Sequence, residues 1–446
     1  MIRALPLLFL TSCMALSPDG AMTPVTKFEP LAVKREDTTP FKGVLSQDKA
    51  VYLALKNNRM LQAAYNELGI TEAQLVQSTT PSNPVFSLGQ IGNNMAVEVE
   101  RTLLINILQL LTLPTRINIA ETKLKAAQLK AIEEVLRVSA ETRRAYITAI
   151  ASRKTVSYLE EAHNSAKTTS KLFMRLGETG AVNKLDQARE HVFTAEIAAK
   201  LANARLTHKA DMEKLVRAIG LEENTISVPR DFASTPAMKS LKHIEQDALN
   251  RRIDLQMLKF DVEANAKQAG LVDATKFVNL LEVKGFDILD RDLTSGDKSR
   301  RTGAELEFQI PLFDFGQAKS TESRERYMQS VNKLYAKITM VRSEAREAHA
   351  RYSGTFEIMR HYAREILPLR KTIQQEQMLR YNAMLIDILP VLAENRQRIT
   401  SNIEAINATR DYHLAHSELK TVVIGGGVSN AAIASSSPSS APQGGH

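Results

Sequence analysis

The chain has a single cysteine, Cys13, and no tryptophan among its 446 residues. A lone cysteine excludes a disulfide framework within the chain. Aromatic residues make up only 5% of the whole. Ala, Leu, Lys, Arg, Glu and Gln make up nearly half of the length instead, which favours long helices over a compact α/β globule. Also lacking is any run of ~18 or more apolar residues, so no helix is suited to cross a bilayer. If the chain spans a membrane, it must do so with strands. There is no basic block either. The formal charge is +8, from 58 Lys and Arg against 50 Asp and Glu. The two signs interleave along helical stretches with no aromatic cluster beside them, which describes a solvated helix face and not a nucleic-acid surface. Phosphate loop, nucleophile elbow and dinucleotide fingerprint are missing, so nothing points to an enzyme or to a bound cofactor. The 9 histidines are scattered. His413 and His416 form the one close pair, at i, i+3, without the third ligand a metal would need, and read as a solvated or interhelical pair.

What is present begins at the N-terminus. Met1-Ile2-Arg3 is a short positive start, Ala4 to Leu10 an apolar run, and Leu10-Thr11-Ser12-Cys13 follows. This resembles a lipoprotein lipobox, which implies a signal peptide over residues 1–12 and lipidation of Cys13. Several acyl chains on one residue would make a firm anchor. Met14 stands where inner-membrane retention is associated with aspartate, so the resemblance implies sorting to the outer membrane of a Gram-negative bacterium. Proline recurs among polar residues up to about residue 45, marking 13–45 as an extended tether. The tail, 426–446, is Gly-, Ser-, Ala- and Pro-rich and reads as disordered.

Between these ends the chain repeats one plan. Ala54-Leu55-Lys56-Asn57-Asn58-Arg59-Met60-Leu61-Gln62 aligns with Ala248-Leu249-Asn250-Arg251-Arg252-Ile253-Asp254-Leu255-Gln256. Each copy then has a β-prone segment, a long helix, a break, a second long helix and a terminal glycine near Gly220 or Gly425. The predicted repeats cover 46–225 and 241–425, joined by a linker at 226–240. Copy one holds a hairpin over about 84–103 with Gly92-Asn93-Asn94 as its turn, then helices over about 114–174 and 184–220. Copy two holds a hairpin over about 276–312, then helices over about 317–381 and 385–423. Pro114 suits a first helical turn, whereas Pro368 would kink the later helix without ending it. A helix of about 60 residues runs ~90 Å. Ile132, Val135, Leu136, Ser139, Tyr146, Ala149 and Ile150 form a stripe that such a helix must bury against another, as in a coiled coil.

The last strand is the most informative. Ala304, Leu306, Phe308 and Ile310 alternate with Glu305, Glu307 and Gln309, giving one greasy face and one wet face. Two hairpins cannot close a sheet, and an open edge is not tolerated in lipid. A barrel pooled from several chains would resolve this, with apolar residues outward and carboxylates in the lumen. A small soluble sheet packed on a helical body is the other arrangement that fits the pattern.

Together these features resemble the TolC-like outer-membrane efflux proteins over about residues 46–425. The features are the lipobox, the doubled layout, Ile310-Pro311-Leu312-Phe313-Asp314-Phe315-Gly316, Arg175-Leu176-Gly177-Glu178-Thr179-Gly180 before Asp186-Gln187-Ala188, and Leu215 before Gly220. The resemblance implies a mainly α fold with a small β part. It further implies a homotrimer in which four strands per chain form one twelve-stranded barrel in the outer-membrane lipids, with a trimeric α-helical barrel below it. It implies partners as well: a periplasmic adaptor and an inner-membrane pump, the channel itself being a passive conduit with no cofactor. Glu305 and Glu307 would face the lumen, and the break regions with Arg175, Leu176, Gly177, Gly180, Arg380 and Tyr381 would dock the adaptor.

At the second break this chain departs from the family. The best ungapped match puts Met384 at a family glycine and Pro390 at a family aspartate, keeping only Val391-Leu392. Asp387, about one turn earlier, could substitute, and Met384 with Leu385 could form a greasy constriction. Asp186 keeps the family spacing from Gly180, although residues so placed also cap the following helix. The alternative class is a non-channel periplasmic coiled-coil scaffold or adaptor lipoprotein whose strands form a soluble domain.

Overall fold

The structure, a computed structural model, describes residues 16–28, 43–94, 96–180, 182–222, 226–232, 243–278 and 280–425. The signal segment, Cys13 and the tail lie outside the described residues, as do much of the tether and the linker. The chain is mainly helical with a small strand part, as its composition requires. In order, the elements are α1 (Thr23–Phe28), β1 (Gly43–Val44), α2 (Gln47–Asn57), α3 (Arg59–Thr79), β2 (Val85–Gly92), β3 (Ala96–Asn106), α4 (Ile107–Glu178), α5 (Lys184–Ile219) and β4 (Ile226–Ser227). There follow α6 (Ile244–Arg251), α7 (Ile253–Thr275), β5 (Leu281–Asp292), β6 (Lys298–Phe308), α8 (Gln317–His361), a π-helical turn (Tyr362–Ile366), α9 (Leu367–Asn382) and α10 (Ile388–Ile424).

The two aligned segments hold the same local device. Asn58 and Arg252 are extended residues separating α2 from α3 and α6 from α7, and their N–H groups donate to Ala54 and Ala248. Asn58 also caps α3, its Oδ1 accepting from the N–H of Met60 at 3.0 Å and of Leu61 at 3.2 Å. That satisfies donors a helix start leaves unpaired.

Two prolines behave differently from each other. α4 starts at Ile107 and not at Pro114, which lies inside the helix. The earlier start is set by Asn106, whose Oδ1 accepts from the N–H of Gln109 at 2.9 Å. Pro114 is tolerated because it occupies an exposed position. Pro368 lies in the first turn of α9, and the helix continues through it. The preceding π-helical turn absorbs the misfit, with Leu367 N–H donating to the Tyr362 carbonyl one residue further back than in an α-helix.

The chain divides into two compact units. One comprises residues 63–132, 253–340 and the first 28, and holds a four-stranded antiparallel sheet in the order β2-β3-β5-β6. Both hairpins therefore join one sheet through the β3–β5 pairing, which runs from Ala96 opposite Asp292 to Asn106 opposite Glu282. After β6, Gly316 turns the chain into α8 at φ +72, where a Cβ would stand 2.7 Å from the Lys276 carbonyl oxygen. Asp314 accepts from the Gly316 N–H at 2.8 Å.

The other unit comprises 29–62, 133–252 and 341–446. In it α4 and α5 run antiparallel, since Glu160 pairs with Arg205 at 2.7 Å and Ser170 with His191 at 3.0 Å. Leu159, Ala162 and Ala166, at three- and four-residue spacing, mesh with Phe193, Ile197 and Leu201, at four-residue spacing, so each helix buries one stripe. α8 and α9 pair likewise with α10, through Tyr352 against Tyr412 (ring centroids 5.6 Å apart) and Arg370 to Glu394 at 2.9 Å. His413 stacks on Phe232 at 4.3 Å. Burial and neighbouring His416 push its pKa down to about 4. The histidine pair is thus part of an interhelical aromatic stack.

Below α5 a second core gathers Leu45, Leu53, Tyr146, Ile150, Leu215 and Ile219. Gly220 ends α5 at φ +79, and a Cβ there would stand 2.8 Å from the Asn57 carbonyl oxygen. Gly220→Ala should therefore cost at least the ~1–2 kcal/mol of a left-handed non-glycine residue, seen as a lower denaturant midpoint with an unchanged slope. An unchanged midpoint would contradict this packing.

Candidate functional site

Two regions collect the candidate residues: the sheet and the two helical breaks. In β6 the alternation sorts as the sequence requires. Ala304, Leu306 and Phe308 share a face with Val283 and Leu281 on β5, and with Phe86, Leu88, Leu103 and Ile105 on the other hairpin. Phe86, Leu88, Leu103, Leu306 and Phe308 are exposed, Leu306 at 61% and Phe86 at 65%, while Leu281, Val283 and Ile105 are half-buried. A soluble sheet packed on a helical body would cover them.

Glu305 and Glu307 lie on the opposite face with Glu98, Glu100, Glu282 and Asp290. Lys284 bridges Glu305 at 3.4 Å and Glu100 at 3.9 Å, and Arg301 bridges Asp290 at 3.0 Å and Glu98 at 3.8 Å. Glu307 stands opposite Glu282, to which Asn106 Nδ2 donates at 3.1 Å. At the level of Thr102 this face is the more enclosed: Thr102 is 8% exposed, while Leu103 beside it is 45% exposed on the other. Here the Phe286 ring covers Gly303, where no side chain would fit. The first hairpin sorts less cleanly, because Val85 and Ile91 lie on the carboxylate face.

At the first break, Gly180 adopts φ +76 and its N–H donates to the Gly177 carbonyl at 3.1 Å. Gly177 leaves room for the Gln187 side chain, which reaches the Val182 carbonyl at 3.1 Å. Arg175 is exposed and Leu176 half-buried. Asp186 sits in the first turn of α5. Asn183 Oδ1 accepts its N–H at 2.8 Å, Asn183 Nδ2 donates to its carboxylate at 2.7 Å, and Arg189 pairs with it at 3.2 Å. Asn183 is the N-cap, and the Asp186 carboxylate holds its side-chain amide in the capping position.

The second break shares one bond of the first, from the left-handed residue to the carbonyl three residues back. Met384 N–H donates to Tyr381 and Leu385 N–H to Arg380, both at 2.9 Å. This is a Schellman closure, with Met384 at φ +58 in the position glycine normally takes. Met384 is 93% exposed and Leu385 74%, so no packing offsets the backbone strain. Arg380 and Tyr381 are exposed beside them. Asp387 is the N-cap residue of α10, exposed, and its side chain makes no capping bond. Pro390 falls in the first turn of α10, where its missing N–H removes no intrahelical bond.

Sequence reasoning missed a buried charge beside the first break. Glu190 is 1% exposed, its Oε2 lacks a hydrogen bond, and Arg396 on α10 approaches to 3.9 Å. Arg396 also lies over the Phe193 ring at 4.5 Å and donates to the Arg189 carbonyl. Burial raises the Glu190 carboxyl above its ordinary range, Arg396 opposing. The signal was available: Glu190 falls on the same seam as Phe193, Ile197 and Leu201, an acid at a core spacing. Among the described residues no helix is long and apolar enough to cross a membrane.

No family model matches the sequence, and no curated protein matches it. Solved structures do match. The channel-forming protein CusC superposes with a TM-score of 0.73 at 15% identity, over 89% of this chain and 96% of that one. The outer membrane protein VceC of Vibrio cholerae gives 0.69 at 14%, over 85% and 96%. The outer membrane channel MtrE of Neisseria gonorrhoeae, in its open state, gives 0.68 at 14%, over 85% and 89%. At these identities the likeness is one of fold, and it extends over nearly the whole of each chain.

Two measurements test this geometry. Met384→Gly should stabilise the second break by about 1 kcal/mol, read as slower amide exchange at the start of α10; faster exchange would contradict the left-handed conformation. For Glu190 the folded chain takes up a proton at higher pH than the unfolded chain, so stability falls as pH rises through that interval. The burial cost is complete above the folded pKa. Glu190→Gln should therefore be more stable than wild type at pH 7 by about 1 kcal/mol, the difference vanishing as pH drops below the carboxylate range. A gain independent of pH would exclude a buried charge as its cause.

Proposed function

We propose that the chain is the outer-membrane conduit of a tripartite efflux or type I export system, working as a homotrimer. The observation that carries this reading is the four-stranded sheet with exposed apolar side chains on one face, carboxylates on the other, and β2 and β6 unpaired at its edges. In lipid an unpaired edge leaves backbone N–H and C=O groups unsatisfied at several kcal/mol each. Copies of the chain must therefore close the sheet. Two copies would give eight strands, a barrel its own side chains fill; three give twelve, the smallest multiple of four with room for a water-filled lumen. The recurrence of helix break, hairpin and antiparallel helix pair supports duplication of one domain, each copy contributing half the wall.

The proteins that share the fold are described as outer membrane channels, which supports the same role here. In this reading the long helix pairs extend into the periplasm and their breaks meet the adaptor, which links them to an inner-membrane pump. Arg175, Leu176, Arg380 and Tyr381 offer exposed or half-exposed side chains for docking, with Gly177 and Gly180 shaping the turn between them. Met384 and Leu385 form an apolar constriction, with Asp387 beside them as the free carboxylate. Asp186 contributes less, being committed to its cap. Lipidation at Cys13 would tether each protomer to the inner leaflet. The chain performs no chemistry, the driving energy belonging to the pump.

In planar bilayers the detergent-extracted protein should conduct ions as a trimer with cation preference, because carboxylates outnumber cations on the enclosed face. Glu305→Gln with Glu307→Gln should reduce that preference and leave the trimer intact. A protein that stays monomeric and never inserts would overturn the reading.

A further inference from the structure

The sheet carries its charges segregated by sign. On the face with the exposed apolar band, Arg101, Arg291, Lys298 and Arg300 stand against Asp287 alone. Asp287 is occupied: Arg300 donates to it at 2.6 and 2.9 Å, and Arg101 approaches to 3.6 Å. Arg291 and Lys298 lie directly opposite one another beside the β5–β6 turn, both exposed. Among the described residues neither forms an ion pair with a carboxylate. Asp292 in the turn accepts instead from the N–H groups of Thr294 and Ser295, at 2.7 and 3.1 Å. Nor would closing the sheet with a second copy supply a counter-charge at the β6 edge, since β2, Val-Phe-Ser-Leu-Gly-Gln-Ile-Gly, has no ionisable residue.

Along this face the chemistry changes in one direction. On the β5–β6 hairpin the end joined to the helices is apolar, with Leu281, Val283, Leu306 and Phe308; towards its turn Arg300, Lys298 and Arg291 surround the single apolar Leu289, while β3 carries Val97 and Val99 at that level. On a lipid-facing wall a cation costs ~2–4 kcal/mol at the bilayer midplane and almost nothing at the interface. The cations therefore mark the level of the head groups, and their sign selects anionic ones. Arg300 commits its Nε–Nη2 fork to Asp287, which leaves the Arg291 guanidinium as the group able to donate two parallel bonds to a tetrahedral oxyanion.

We propose that Arg291 and Lys298, with Arg300 and Arg101 positioned by Asp287, form a docking site on the outer wall for a phosphorylated lipid head group of the distal leaflet. This rests on the reading of the sheet as a barrel wall.

The test uses the full chain in proteoliposomes of phosphatidylcholine with and without diphosphorylated lipid A, and native mass spectrometry of the lipids retained after extraction. Wild type should retain lipid A in preference to phosphatidylcholine. Arg291→Gln with Lys298→Gln should weaken that preference roughly fivefold for each cation removed, while the charge-keeping exchange Arg291→Lys with Lys298→Arg should preserve it. Wild-type protein that enters phosphatidylcholine vesicles yet retains both lipids equally would overturn the site and leave the barrel standing, as would a neutralised variant with undiminished preference. Protein that enters neither vesicle would overturn the barrel and the site together. Should the neutralised variant fail to fold, the wild-type comparison decides alone.

Discussion

Backbone hydrogen bonding at the edges of one small sheet is the constraint on which the functional reading depends. A strand in water can leave an edge unpaired at little cost, because solvent completes the bonds. A strand in hydrocarbon cannot. In this chain β2 and β6 are edges, and the face between them is greasy. Those two facts conflict in a lone protomer placed in lipid and would agree in a ring of protomers, which is the physical ground for the oligomer proposed above. In the proposed barrel the ion pairs on the other face have the complementary logic: carboxylates and their partners would face a lumen from which lipid is excluded.

The helical part solves a different problem, that of ending and restarting helices with few contacts. At the first break the solution is inexpensive: glycine takes the left-handed position and an Asn-Asp pair caps the next helix. At the second break the same closure is built on Met384, and α10 opens on an aspartate that does not cap. The two turns therefore share a left-handed residue bonded three residues back, and differ in local strain and in what they expose. Strain at an exposed turn that packing does not reward is a mark of a functional position, and here it presents two apolar side chains to solvent.

Much of the fold could be read from the sequence because its signals are local. Alternation in Ala304 to Phe308 identified a strand and sorted its faces, and the aligned segments 54–62 and 248–256 identified equivalent positions in the two copies, although each was read as opening one short helix and in fact spans a break between two, at Asn58 and Arg252. What could not be read depended on register or on a partner. Nothing in the sequence places Asp287 between Arg101 and Arg300, since they belong to three strands and meet only when β3, β5 and β6 align. The start of α4 at Ile107 was hidden by Pro114, a stronger textual signal than the Asn106 cap that outweighs it. Asp186 stood between two roles until the Asn183 and Arg189 contacts tied it to the helix start. Glu190 escaped notice because a single acid in a long amphipathic helix is unremarkable until its seam is traced.

The central claim is that the outer edges of β2 and β6 are paired between protomers. Hydrogen exchange of the membrane-reconstituted protein, resolved to single amides, tests this most directly. The account predicts that the outward N–H groups of β2 and β6 exchange as slowly as those of β3 and β5. Rapid exchange confined to those two edges, in protein that is embedded in lipid, would contradict it.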